Sequence, residues 1–132
     1  MQMKLTKLYT VFFMTLVLGS CNKTEGEGGT SSIQGKIWVI NLNAAGETVG
    51  EYYAMDQDVF IIYGDSDATY NDKFATSYDG SYVFNNLVEG TYTLFVYSKC
   101  DTCQSGQEVF TKTVEITEKK QLITVEDLII YE

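Results

Sequence analysis

Residues 78–98, YDGSYVFNNLVEGTYTLFVYS, put large side chains at alternate positions and interrupt them twice with glycine. A repeat of two belongs to a strand with one buried face, whereas a helix would repeat at about 3.6. Tyr82 and Phe84 fall on one face and Val83 on the other; Tyr92, Leu94 and Val96 share a face further on. Asp79-Gly80 between such runs predicts a hairpin, because glycine accepts the positive φ that primed turns demand. Asn85-Asn86-Leu87-Val88-Glu89-Gly90 predicts a second reversal. The stretch therefore predicts two strands whose alternate side chains are sealed between layers.

The flanking sequence extends this pattern. Residues 33–42 (IQGKIWVINL) read as a strand with two apolar faces, residues 58–64 (DVFIIYG) as a β-rich run closed by glycine, and residues 107–116 and 122–131 as later strands around a turn at 118–121. Residues 43–56 contain a turn at Ala44-Ala45-Gly46-Glu47 and no clear period, and residues 65–73 form a polar loop. Six or seven short strands, turns about every ten residues and no sustained helix predict an antiparallel sandwich or barrel. The chain has no proline, so strand edges must be guarded by charge or twist, Lys112 among the guards.

At the start of the chain, Lys4 and Lys7 precede an uncharged run of 11 residues from Leu8 to Leu18. A bilayer-spanning helix needs about 20, so residues 1–20 read as a secretory signal. Leu18-Gly19-Ser20-Cys21 resembles the lipobox of bacterial lipoproteins. That resemblance implies that Cys21 becomes the first mature residue and carries diacylglycerol on sulfur and an acyl chain, such as palmitate, on its amino group. Several chains at about 0.8 kcal/mol per buried CH₂ anchor firmly. Asn22 after the cysteine implies, by the same resemblance, delivery to the outer membrane. Residues 21–32 carry no large apolar side chain and read as a flexible tether with a reach of roughly 18 Å. Residues 33–132 remain as one domain.

All nine basic residues are lysine, and there is no histidine or arginine. With Lys4 and Lys7 lost in the signal, seven lysines face eighteen acids, a net charge of −11. Such a surface repels phosphate backbones, which argues against nucleic acid, and repels anionic headgroups, which leaves lipid as the membrane attachment. Of three cysteines, Cys21 is assigned to lipid and Cys100 and Cys103 remain. In an oxidising compartment Cys100-Asp101-Thr102-Cys103 most simply closes a local disulfide that stiffens the loop more than the fold. A redox dithiol usually opens a helix, and zinc would need two further soft ligands; neither context is visible here.

The spacing G-x-Y-x-F-x-x-L-x-x-G-x-Y-x-L-x-V over residues 80–96 resembles prealbumin-like β-sandwich domains, the carboxypeptidase regulatory-like and collagen-adhesin B-type families. Gly35-Lys36-Ile37 and the closing runs 113–116 and 123–125 extend the likeness to most of residues 33–131. It implies an all-β, seven-strand Greek-key sandwich with Tyr82, Phe84, Leu87, Tyr92, Leu94 and Val96 in the core. Glu89-Gly90 stands where the family often has Pro-Gly. Val96 stands where collagen-adhesin domains place the glutamate that catalyses an isopeptide bond, so no crosslink is expected between Lys36 and Asp127. Hydroxyisourate hydrolases share the fold but need histidine and arginine.

Without histidine, acid–base chemistry would fall to tuned carboxylates, and no motif pairs them, so no catalytic residue and no cofactor are expected. Asp56, Asp58, Asp65 and Asp67, with Asp72 and Asp79, flank the second strand and are the candidates for calcium, although the EF-hand spacing fails. Trp38, Phe95 and Tyr97 are the candidate binding face, as aromatics opposite the inward rows. The sequence thus predicts an outer-membrane lipoprotein of the cell surface, a non-catalytic accessory or adhesive module for an envelope or extracellular protein or glycan. The alternatives are a carbohydrate-binding module and a weak carboxylate-dependent hydrolase.

Overall fold

In a computed structural model, which describes residues 24–132, the alternation of buried and half-buried residues runs unbroken from Ser31 to Ile40. Ile33, Ile37 and Val39 are fully buried, and Gln34, Lys36 and Trp38 face outward. This is the centre of β1 (Glu27–Leu42), the longest of nine strands among the described residues. The others are β2 (Thr48–Tyr53), β3 (Asp58–Tyr63), β4 (Asp72–Ala75), β5 (Ser81–Leu87) and β6 (Gly90–Lys99), followed by β7 (Gln107–Ile116), β8 (Leu122–Thr124) and β9 (Leu128–Tyr131). The described residues contain no helix, and the strands form two sheets that enclose one core, an all-β sandwich as predicted.

β1 is the spine of the first sheet. Its residues 33 and 34 pair with β5 antiparallel and with β8 parallel; its residues 38–40 pair with β2 antiparallel and with β9 parallel. A strand has only two hydrogen-bonding edges, so β5 and β2 lie in line along one and β8 and β9 along the other. The second sheet runs β4-β3-β6-β7, antiparallel throughout. β3 pairs with both β4 and β6, while the chain between them visits β5 in the first sheet. Four consecutive strands in which the fourth returns beside the first make a Greek key.

Tyr82, Leu87, Tyr92, Leu94 and Val96 are at most 2% exposed, and Phe84 4%, so the predicted inward row is the core. Val59 and Ile61 from β3 and Ile130 from β9 close it from the other strands. Tyr92 also ties the fold locally. Its hydroxyl donates to the Val88 carbonyl at 2.7 Å and accepts the Gly26 N–H at 3.0 Å. Tyr82 ends differently: its hydroxyl is buried without a hydrogen-bond partner, and burial pushes the phenol far above its ordinary pKa.

Several expectations are corrected. The tether drawn over residues 21–32 is ordered from Thr24 onward, and Glu27 to Ser32 belong to β1, so the folded domain begins well before residue 33. Hydrogen bonds rather than apolar side chains hold this arm. Val88 N–H donates to Gly26 carbonyl at 3.0 Å, and buried Ser31 accepts the Gln121 N–H at 3.0 Å while donating to the Glu118 carbonyl at 2.9 Å. The signal segment and Cys21 lie outside the described residues. Asp79-Gly80 does make a tight turn, with Gly80 at φ +77°, but it joins β4 of one sheet to β5 of the other and is no hairpin. β2 and β4 arise where no strand was predicted, and the last predicted strand is split into β8 and β9 by Val125, Glu126 and Asp127.

Candidate functional site

Phe60 and Phe95 stand directly opposite each other where β3 pairs with β6, both on the outer face of the second sheet. Their rings stack, with centroids 4.9 Å apart and planes 14° from parallel. Tyr97, two residues beyond Phe95 on the same face, sets its ring edge-on to both, at 5.7 Å from Phe60 and 5.8 Å from Phe95. Tyr70 arrives from the loop after β3 and tilts against Phe60 at 4.9 Å. That loop is placed by Asn71, whose N–H donates to the Ile61 carbonyl and whose Oδ1 accepts the Tyr63 N–H, each at 2.8 Å. Each aromatic pair contributes about 0.5–1.5 kcal/mol beyond burial, so the four rings form a rigid plate.

Exposure grades across that plate. Phe95 is 6% exposed, although it points away from the core, because its neighbours cover it; Tyr97 is 37% and Tyr70 43% exposed. Thr93, Thr111 and Lys73 share the face through the strand register, and Lys73 donates to Asp58 at 2.9 Å. That hydrogen bond, before any longer-range attraction, raises the Lys73 pKa. The result is a shallow apolar surface of two half-exposed phenols with hydroxyls and an ion pair around it. Amphipathic rings of this kind suit a ligand with both apolar faces and polar edges.

Trp38 does not belong to this plate. It lies on the outer face of the first sheet, where its ring meets Tyr53 edge-on at 4.7 Å. The Lys36 ammonium sits 4.6 Å from the centroid of the Tyr53 ring, and the Tyr53 hydroxyl donates to Asp127 at 3.2 Å. The predicted trio of Trp38, Phe95 and Tyr97 is therefore divided between opposite faces of the sandwich. Alternation along a strand tells which residues face outward but not on which of two sheets. Phe60 and Tyr70, which the sequence reading missed, take the place of Trp38.

The acids are likewise dispersed. Asp56 precedes β3 and Asp58 opens it, whereas Asp65 and Asp67 follow it, so the length of the strand holds the two pairs roughly 20 Å apart. Asp58 is already paired with Lys73. Among the described residues these four form no cluster able to share an ion.

At one end of the sandwich, an open cavity of about 270 Å³ is lined by Lys99, Asp101, Glu108 and Glu132 together with Cys100. Cys100 and Cys103 are joined by a disulfide, their Cα atoms 5.3 Å apart. Asp101 is 3.3 Å from the Lys99 ammonium, and Glu132 accepts the Tyr52 hydroxyl. Two of the three carboxylates are thus committed to other partners rather than to each other.

No family model matches the chain, and no curated protein matches it. Among solved structures, a protein from Pseudomonas aeruginosa provisionally described as carbohydrate binding is similar over 83% of this chain and 92% of its own, at 15% identity and a TM-score of 0.49. At that identity and score its ligand is not carried over to this chain.

Proposed function

We propose that this protein is a lipid-anchored, non-catalytic binding module of the cell envelope, held in the outer membrane through Cys21. Its ligand face is the outer surface of the second sheet around Phe60, Tyr70, Phe95 and Tyr97. One observation carries the reading: two tyrosines stay about 40% exposed on a base of two stacked rings, Phe60, which touches both of them, and Phe95, which is buried. A monomeric domain gains little from building a second aromatic layer outside its core and leaving its rim in water, whereas a binding face needs a rigid anchor of this sort. The test is retention of partners from intact cells by the lipidated protein. Tyr97→Ala combined with Tyr70→Ala should lose them, and Tyr53→Ala on the opposite face should not; equal retention by all three removes the assignment.

A glycan is the second reading for the same face. Thr93, Thr111 and the Lys73–Asp58 pair surround the rings, and hydroxyls beside an aromatic plate match a sugar ring, apolar on its faces and polar at its rim. A glycan array probed with the soluble protein decides it: hits lost in the tyrosine double variant support a sugar, and a blank array leaves a protein partner.

A further inference from the structure

We propose that Cys100, Cys103 and Glu108 form a binding site for one thiophilic divalent cation, closed while the disulfide stands and opened by its reduction. The two sulfurs and a Glu108 carboxylate oxygen all lie within 4.8 Å of one another. Tetrahedral coordination of a zinc-like ion, with metal–sulfur distances of about 2.3 Å and metal–oxygen distances of about 2.0–2.2 Å, needs such donors roughly 3.5–3.8 Å apart. Oxidised, the sulfurs are bonded to each other and carry no thiolate charge, so the site is off. Reduced, the sulfurs must move apart to that spacing, and Glu108 needs to close by no more than about 1.3 Å.

The loop can make that change without coming apart. Cys100 N–H donates to the Gly106 carbonyl at 3.0 Å, Cys103 N–H to the Cys100 carbonyl at 3.2 Å and Gly106 N–H to the Cys103 carbonyl at 3.0 Å. These main-chain bonds, continuous with the β6–β7 ladder through Lys99↔Gln107 and Ser98↔Glu108, hold the cysteines and Glu108 together independently of the sulfur–sulfur bond. Two cysteines separated by two residues are a usual half-site for zinc; where the sequence reading asked for two further soft ligands, the fold delivers a carboxylate, which zinc also accepts, from the second residue of the returning strand β7. The neighbouring cavity, lined by Cys100, Thr102 and Glu108, leaves the fourth position to water. Two thiolates select zinc, cadmium or cobalt over calcium and magnesium.

The chemistry balances. A thiol or phosphine reductant supplies two electrons, and two protons come from solvent; the sulfur–sulfur bond breaks and two S–H groups form. The cation then displaces both protons to water as two metal–sulfur bonds form.

The test uses the full chain with Cys21→Ser, so that only Cys100 and Cys103 supply thiolate, reduced with a phosphine and titrated with Co²⁺ alone. One Co²⁺ per chain with sulfur-to-cobalt charge-transfer absorption is expected, absent from the oxidised protein and from Cys100→Ser. Glu108→Gln should keep the absorption but weaken binding at least about tenfold, the loss that outer-shell partners alone can cause. X-ray absorption of the unsubstituted site should give two sulfurs and the remaining donors oxygen. Reduced protein binding no more tightly than oxidised overturns the proposal, as does Glu108→Gln with unchanged affinity, a four-sulfur shell or one ion per two chains.

Discussion

Tyr82 passes beneath Gly35 so closely that its hydroxyl stands 2.5 Å from where a Cβ on Gly35 would be. The two residues face each other where β5 pairs with β1, and the glycine is the gap into which the phenol fits. Gly35→Ala should therefore cost about 1–3 kcal/mol by overpacking, read as a lower urea midpoint at unchanged slope. Tyr82→Phe deletes a buried hydroxyl that has no partner, so it should be neutral or stabilising. Placed together, Tyr82→Phe should recover part of the alanine penalty; strict additivity would show that the two side chains do not meet.

Tyr92 gives the opposite outcome from the same substitution. Its hydroxyl satisfies both the Gly26 N–H and the Val88 carbonyl, so Tyr92→Phe strands two buried backbone groups. A loss of about 1–3 kcal/mol is expected, together with faster amide exchange at Gly26. Equal melting temperatures for Tyr82→Phe and Tyr92→Phe would contradict both assignments.

Asp79 makes part of the stability pH-dependent. The Ser81 hydroxyl at 2.6 Å and then the Ser81 N–H at 3.1 Å hold its carboxyl below the usual aspartate pKa, with Lys36 at 3.7 Å adding attraction. A carboxyl whose folded pKa is depressed contributes stability above its unfolded pKa and loses it as pH falls through the folded one. The loss is therefore confined to acid below about pH 4. Ser81→Ala should raise the Asp79 pKa in a carbon-detected NMR titration and weaken that acid dependence while leaving neutral pH behaviour in place.

The aromatic plate should separate structural from ligand-facing rings. Phe95→Ala empties a nearly covered site and should cost about 3 kcal/mol or more. Tyr97→Ala removes a half-exposed ring with two edge contacts and should cost about 1 kcal/mol. Thermal melts of the two variants decide this, and a reversed order would mean that Tyr97 is the true base of the plate.

What the sequence made legible was burial along single strands. Tyr82, Phe84, Tyr92, Leu94 and Val96 keep strict alternation because one of their faces is sealed, and burial leaves that trace in the sequence. β2 leaves none: its residues are exposed or half-exposed, and it exists through backbone pairing with β1. β4 offers one inward side chain, Phe74, too few to define a period. The arm at residues 24–32 is held by serine hydroxyls and glycine backbone, which composition cannot tell from a loose linker. β8 and β9 run parallel to β1, a partner some 90 residues away in sequence. The plate escaped for the same reason: Phe60 meets Phe95 through strand pairing, and Tyr70 comes from a loop, so no local spacing joins the three.

The short ordered arm fixes which pole of the sandwich the chain enters. Thr24 is three residues from Cys21, and the next residue, Glu25, packs against Gly64 and Gly90, at the start of β6. From there β6 climbs ten residues to Lys99, about 33 Å, before the chain enters the disulfide loop. On the proposed anchoring through Cys21, the Glu25 pole would be the end nearer the headgroups, and the Cys100–Cys103 pole, a full strand length along β6, would be the end presented to whatever lies beyond the bilayer.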